Sequence, residues 1–281
     1  MTTRPWRRVG HAFVAGGATV LLIVAGAGAL RAGAPAVHEI YVHVGEHEVR
    51  ALCTDGPREV VMLHGDGGRA DEWLGVLRRL DGEVGACAYD RAGFGGDDHP
   101  AERGWYEFLD ELRRTHVALG FQRDYVLVGH ELGGLYARVY AADRPSDIAG
   151  LVLVEPAHED LLRRMRLGMP PEEWSTWKAR RERPNADRVV EAKIAERART
   201  SRMPSIPVTV VTGTIRRSGP GWDPRFLDEA ARQVHEDILR GAEPGRHVPA
   251  SRSGSDPQLD QPDLVADEIV RVVGASRRSR R

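Results

Sequence analysis

Apolar positions along the chain fall into two kinds of run. His38 to Val44 and Glu48 to Cys53 alternate polar with apolar and are joined by Gly45-Glu46-His47, which predicts two antiparallel strands with one solvated face. From Val60 the pattern changes to short continuous apolar runs: Val60–Leu63, Val84–Tyr89, Tyr125–Val128, Leu151–Val154 and Val208–Val211, with a shorter one at His247–Pro249. Such runs mark strands buried on both faces. Between them lie stretches with apolar residues at helical spacing: Asp71–Leu80, Trp105–Leu119, Leu135–Ala142, Phe226–Leu239 and Leu264–Val273. Strand alternating with helix predicts an α/β fold, a mainly parallel eight-stranded sheet flanked by helices. Residues 157 to 203 break the rhythm. They are rich in Arg and Glu, carry Trp174 and Trp177 three residues apart, and show no strand pattern. A helical insertion is expected there, as a short lid or as an exposed excursion.

Composition changes this picture at the two ends. Arg4, Arg7 and Arg8 precede an uncharged stretch from Ala12 to Leu30, and Ala34-Pro35-Ala36 follows. A basic start, an apolar centre and a small-residue end describe a secretory signal over residues 1–36, or an N-terminal membrane anchor through residues 12–30. The folded domain, residues 37–275, is expected outside the cytoplasm, secreted or anchored. The last residues, 276–281, read as a basic solvated tail. In an exported protein Cys53 and Cys87 are free to form a disulfide, but two small buried thiols in neighbouring strands are the reading slightly preferred, since regular strand pairing often presents the wrong geometry. A formal net charge of −1 gives no field to attract phosphates, so nucleic acid is not an expected partner. The two cysteines lie outside metal-ligand spacing, and the glycine-rich turns do not fit dinucleotide spacing; neither metal nor dissociable cofactor is expected.

Four motifs occur in order. His64-Gly65 with Gly67-Gly68 follows the third strand; Asp90-Arg91-Ala92-Gly93-Phe94-Gly95 follows the fourth. Gly129-His130-Glu131-Leu132-Gly133-Gly134 links the fifth strand to a helix, and Arg252-Ser253-Gly254-Ser255-Asp256-Pro257-Gln258 follows the last. Over residues 38 to 274 the chain resembles the α/β-hydrolase fold superfamily, whose nucleophile elbow reads G-x-S-x-G and whose last loop carries the catalytic histidine. The resemblance puts Glu131 at the serine position and Ser255 at the histidine position. A register shift of one brings Asp256, not a histidine. Serine acyl transfer by this elbow is thereby excluded, because a hydroxyl and an imidazole are both required. The resemblance also implies an orienting acid at Glu155, after the sixth strand, with Asp223 as the other candidate. It implies oxyanion donors in the backbone N–H groups of Leu132 and of Asp66 or its neighbour Gly65.

Three uses of Glu131 follow. It could be a covalent nucleophile, as the resemblance to haloalkane dehalogenases and epoxide hydrolases suggests, but no histidine stands ready to activate the water that would break the ester. It could be a general acid or base in a lid-covered pocket, its pKa raised by desolvation and by Glu155, acting on a small, partly apolar carbonyl or ester-like molecule. Or the pocket could bind a small ligand or a partner protein without catalysis. Burying a carboxyl at a small-hydroxyl position costs several kcal/mol unless the carboxyl is paired or protonated, which favours a role for the carboxylate without saying which; the acid–base reading is placed slightly ahead of the binding one. His64, His130, His158 and Ser255 are the remaining pocket candidates. His64 and His130 also have ordinary loop-shaping and elbow-neighbour roles.

Overall fold

The computed structural model describes residues 37–91, 104–181, 186–215 and 224–279. The proposed leader, residues 93–96 of the second glycine-rich turn, and Asp223 lie outside the described residues. Eight strands form one sheet: β1 (His38–Val44), β2 (His47–Cys53), β3 (Arg58–Leu63), β4 (Gly85–Tyr89), β5 (Tyr125–His130), β6 (Ile148–Val154), β7 (Val208–Gly213) and β8 (Gly245–Ala250), in the order β1-β2-β4-β3-β5-β6-β7-β8. β2 pairs antiparallel with both β1 and β4, and every other pairing is parallel.

The continuous apolar runs are explained by the two faces of this sheet. Val60 and Met62 of β3, Val126 and Val128 of β5, and Val152 and Val154 of β6 pack into one cluster, with α1 (Leu74–Leu80) and α9 (Pro262–Ser279). Their alternates, Val61 and Leu63, Tyr125 and Leu127, Leu151 and Leu153, enter a second cluster against α2 (Trp105–Ala118) and α3 (Leu132–Asp143). Period-two alternation of side chains therefore sends apolar groups to both faces, and both are covered by helices.

The helix expected over Asp71–Leu80 begins as a 3-10 turn, Ala70–Trp73, before α1. Residues 157–203 hold α4 (Leu161–Gly168), α5 (Pro171–Arg181) and α6 (Ala186–Ala198). α7 (Pro224–Arg240) precedes β8, and the short α8 (Pro257–Asp260) precedes α9. The C-terminal expectation needs correction. α9 runs on to Ser279, and Arg277 forms an ion pair with Glu59, because a basic last turn complements the negative end of the helix dipole and extends the helix. No helix among the described residues is long and apolar enough to cross a membrane.

The cysteine expectation is also corrected: Cys53 and Cys87 form a disulfide. They are direct partners in the β2–β4 register, with Cα atoms 4.2 Å apart, the narrow kind of antiparallel pair in which facing side chains are closest. Both are buried. The link fastens the β1–β2 hairpin to the parallel sheet across a chain separation of 34 residues. Replacing both cysteines by alanine is expected to cost about 2–4 kcal/mol of unfolding free energy, read by urea denaturation; a loss under about 0.5 kcal/mol, the usual range for an inconsequential change, would show that the hairpin needs no staple.

Candidate active site

The sheet reverses its winding at β3, which pairs with β4 on one side and β5 on the other, so the connections after β3 and β5 diverge and leave a crevice at the carboxyl ends of the strands. Glu131 stands there, on the bend between β5 and α3, with φ +47° and ψ −113°. Left-handed backbone at a residue with a Cβ is strained and is kept only where the surroundings fix it. They do so here. The Glu131 N–H donates to the Val154 carbonyl, its carbonyl accepts from Ala157, Gly134 and Leu135, and a Cβ at Gly133 would lie 2.5 Å from the Leu63 oxygen. The bend holds its shape because helix and strand approach so closely that glycine alone fits.

The Glu131 side chain is half-buried, and its Oε2 accepts a 2.7 Å hydrogen bond from the backbone N–H of Asp66 in the loop after β3. The sequence reading assigned that N–H to a reacting oxyanion; it is engaged by the carboxylate itself. Gly65 makes the approach possible, since a Cβ there would meet His130 Nδ1 at 3.0 Å and Glu131 Oε2 at 3.1 Å. Leu132 is the first residue of α3, where a helix leaves its N–H groups without intrahelical acceptors.

The Asp66 loop is braced from behind by Asp90 and Arg91. The Arg91 guanidinium is buried and donates to the carbonyls of His64 and Gly65, while Asp90 accepts from the Ala70 N–H and pairs with Arg50. His64 belongs to this brace and does not line the cavity. Its Nε2 accepts the Arg91 N–H at 3.2 Å, so Nδ1 carries the proton that goes to the Gly65 carbonyl. Burial and the adjacent Arg91 hold its pKa well below the ordinary histidine value.

A cavity of about 450 Å³ opens in front of Glu131. Asp66, His130, Glu131, Glu155, His158 and Ser255 all line it, with Leu161, Leu162 and Met165 of α4 as an apolar wall. Glu155 follows β6 directly, also with positive φ (+45°), and its carboxylate accepts the N–H of Gly213 at the end of β7. His130 turns to the last loop, its Nε2 donating to the Ser255 carbonyl (2.8 Å) and its Nδ1 receiving the Gln258 amide (3.2 Å). The carboxylates of Glu72 and Asp256 lie 3.9 and 3.7 Å from this ring; burial raises the Glu72 pKa, partly offset by His130. His158 accepts the Asp160 N–H at Nδ1, and burial, aided by Arg138, pushes its pKa down to about 4.

Sequence reasoning missed His235 and Glu191, which also line the cavity. His235 was legible in principle, since it falls on the apolar stripe of α7 with Ala231, Val234 and Ile238. Among the described residues no group of three or more histidine, cysteine or acidic side chains is arranged to hold a metal ion.

Comparison with known proteins agrees with this fold. The alpha/beta hydrolase fold family model matches residues 59–231, more than half of the chain, and the chain belongs to that family. Similar proteins include a 1-acylglycerol-3-phosphate O-acyltransferase, ABHD5, of Sus scrofa (34% identical over 102 residues; 34% of this chain, 29% of that one). A monoacylglycerol lipase, abhd6-A, of Xenopus laevis is 35% identical over 102 residues, covering 35% of this chain and 30% of that one. A protein of Hormonema carpetanum named as a transporter, efuK, is 31% identical over 140 residues, covering 46% of this chain and 20% of its own. The matched segment thus spans less than a third of each of these relatives. Among solved structures, a bacterial membrane phospholipase A superposes with TM-score 0.58 at 21% identity (86% of this chain, 87% of that one). The carboxylesterase CesB of Bacillus subtilis gives 0.54 at 13% identity (85% and 92%). At these identities the likeness is one of fold.

Buried neutral histidines make the fold sensitive to acid. His116, fully buried and hydrogen-bonded to the Tyr125 and Tyr89 hydroxyls, has its pKa pushed down to about 3 by burial alone. With His64 and His158 also depressed, the unfolded chain takes up these protons first. Stability is therefore complete above about pH 6.5 and falls as pH drops through the window toward 4 and 3. Between about pH 6.5 and 5 each such histidine is expected to remove up to about 1.4 kcal/mol per pH unit. His116→Gln should flatten the slope of unfolding free energy against pH even as it lowers the absolute value; an unchanged slope would mean that His116 titrates normally.

Proposed function

We propose that this protein is a hydrolase-fold enzyme that does not use serine–histidine chemistry, with Glu131 as general acid or base on a small, partly apolar molecule. The observation that carries the reading is the Asp66 N–H bond to Glu131. One carboxylate oxygen is clamped on a rigid loop, so the group is oriented, and an oriented carboxylate at a cavity wall is what proton transfer requires. Glu155 on the same cavity wall supplies a second carboxyl. Because the clamp engages an N–H that acyl-transfer enzymes reserve for the oxyanion, the reading favours isomerisation, elimination or ring closure over ester hydrolysis.

Ligand class follows from charge. Among the described residues the cavity is lined by Asp66, Glu131, Glu155, Glu191 and Asp256 and by no lysine or arginine, so neutral or cationic molecules are favoured over phosphates and carboxylates. The name of the monoacylglycerol lipase relative directs the search to neutral acyl compounds, which the wall of Leu161, Leu162 and Met165 suits, whereas the phosphate in the name of the ABHD5 relative does not match the acidic lining. Helices α4 to α6 act in this reading as a lid. Export through residues 1–36 is part of the proposal, and a disulfide in the domain supports it.

The same observation admits a second reading. The same N–H bond removes a catalytic donor, as in a protein that binds ligand and performs no reaction. Glu131→Gln separates the two, because the amide oxygen still accepts the Asp66 N–H while the group can no longer exchange a proton. Turnover should fall by about 10²-fold or more with the fold intact if Glu131 is an acid or base; a change in affinity alone, with no turnover to lose, would establish binding. A fluorophosphonate probe should leave the wild-type chain unlabelled, and labelling would reveal a recruited serine and sink both readings.

A further inference from the structure

His235 of α7 lies in the cavity wall at 2% exposure, with both ring nitrogens engaged. Nδ1 is 2.8 Å from Thr212 Oγ1, and Nε2 is 3.3 Å from the Pro156 carbonyl oxygen. A carbonyl oxygen only accepts, so Nε2 carries the proton, and in the neutral ring Nδ1 accepts the Thr212 hydroxyl proton. The threonine oxygen is then the acceptor for the next group outward, and His247 Nε2 lies 2.8 Å from it. His247 is exposed on β8, the edge strand.

The register explains why these groups meet. Thr212 pairs with Pro249 and Val210 with His247, so Thr212 and His247 are diagonal neighbours on one face of the β7–β8 pair. Val210 of that face shares a cluster with Ile238 of α7, one helical turn from His235. Sheet register and helix packing together produce a directed chain: His247 Nε2–H to Thr212 Oγ–H to His235 Nδ1. One end faces solvent; the other is a residue of the cavity wall whose Nε2–H is directed at the Pro156 carbonyl.

We infer that His235 is the residue through which the cavity exchanges protons with solvent, by way of Thr212 and His247. The chain itself stands apart from any reading of Glu131; its use in a reaction rests on the acid–base role proposed above. His247, protonated from solvent, passes its Nε2 proton to Thr212 Oγ1 as Thr212 passes its own to His235 Nδ1. The His235 imidazolium so formed turns its Nε2 proton from the Pro156 carbonyl, which cannot take it, to a carboxylate of the cavity wall, which becomes the carboxylic acid. One proton enters, one leaves, and only N–H and O–H bonds are made or broken. His235 is left as the Nδ1–H tautomer, and a proton returning by the reverse steps restores it. Such a path resets carboxyl groups that have gained or lost a proton.

The test is nuclear magnetic resonance of histidine rings labelled with nitrogen-15 in the full chain, with no ligand added. The wild type should show His235 as the Nε2–H tautomer with bare Nδ1. Thr212→Val, which keeps the shape and removes the hydroxyl, and His247→Leu, at an exposed edge position, should each slow solvent exchange of the His235 ring proton by about tenfold, the scale set by losing one buried hydrogen bond. Thr212→Ser should retain the wild-type rate. A wild-type Nδ1–H tautomer, or an exchange rate unmoved in both variants, would overturn the inference. Because the readout needs no turnover, its failure leaves the Glu131→Gln result untouched, and failure of the Glu131 reading leaves the exchange path untouched.

Discussion

One hydrogen bond organises the site: the backbone N–H of Asp66 donating to the carboxylate of Glu131. It joins two loops from either side of the point where the sheet reverses, and it exists only because both loops are over-determined. The bend at Glu131 is fixed by the tight crossing of β5 and α3 and by backbone bonds from three following segments of chain. The Asp66 loop is fixed by the buried guanidinium of Arg91 on the carbonyls of His64 and Gly65. A carboxylate placed with neither loop rigid would turn to water, where it is best solvated. The rest of the cavity inherits its character from this bond, which directs a carboxyl group inward among other carboxyl groups and imidazoles.

The neutrality of the surrounding histidines has a common cause. His64, His116 and His158 are removed from water, and for His64 and His158 an arginine adds to that effect. Their tautomers are then set by which neighbour can only donate or only accept: the Arg91 N–H for His64, the Asp160 N–H for His158. His130 ties the elbow to the loop after β8 through the Ser255 carbonyl, with the carboxylates of Glu72 and Asp256 3.9 and 3.7 Å away. The position that the resemblance gives to a catalytic histidine thus contributes a main-chain oxygen that holds another histidine in place.

Much of this was legible in the sequence, for physical reasons. Val60–Leu63 and Leu151–Val154 announced strands covered on both faces because nothing polar interrupts them, and the Gly129–Gly134 motif announced the bend from strand to helix. The helical insertion was legible from its missing strand pattern. What escaped depends on distances between segments remote in the chain. The Cys53–Cys87 link needs the β2–β4 register, which periodicity alone does not supply. The engagement of Asp66 by Glu131 depends on how two loops approach. The ion pair of Arg277 with Glu59 at the end of α9 joins residues far apart in sequence. His235 carried a signal, a histidine on an apolar helical stripe, but its partners Thr212 and His247 become neighbours only once strands and helix are packed.

The central claim is that the Glu131 carboxylate and the Asp66 N–H form one unit in the cavity. The most direct measurement follows the Glu131 side-chain carboxyl carbon and the Asp66 amide proton together through an acid titration by nuclear magnetic resonance. The account requires the two signals to move in a single shared transition, with the Asp66 amide losing that transition in Glu131→Gln. An Asp66 amide indifferent to the protonation of residue 131 would contradict it.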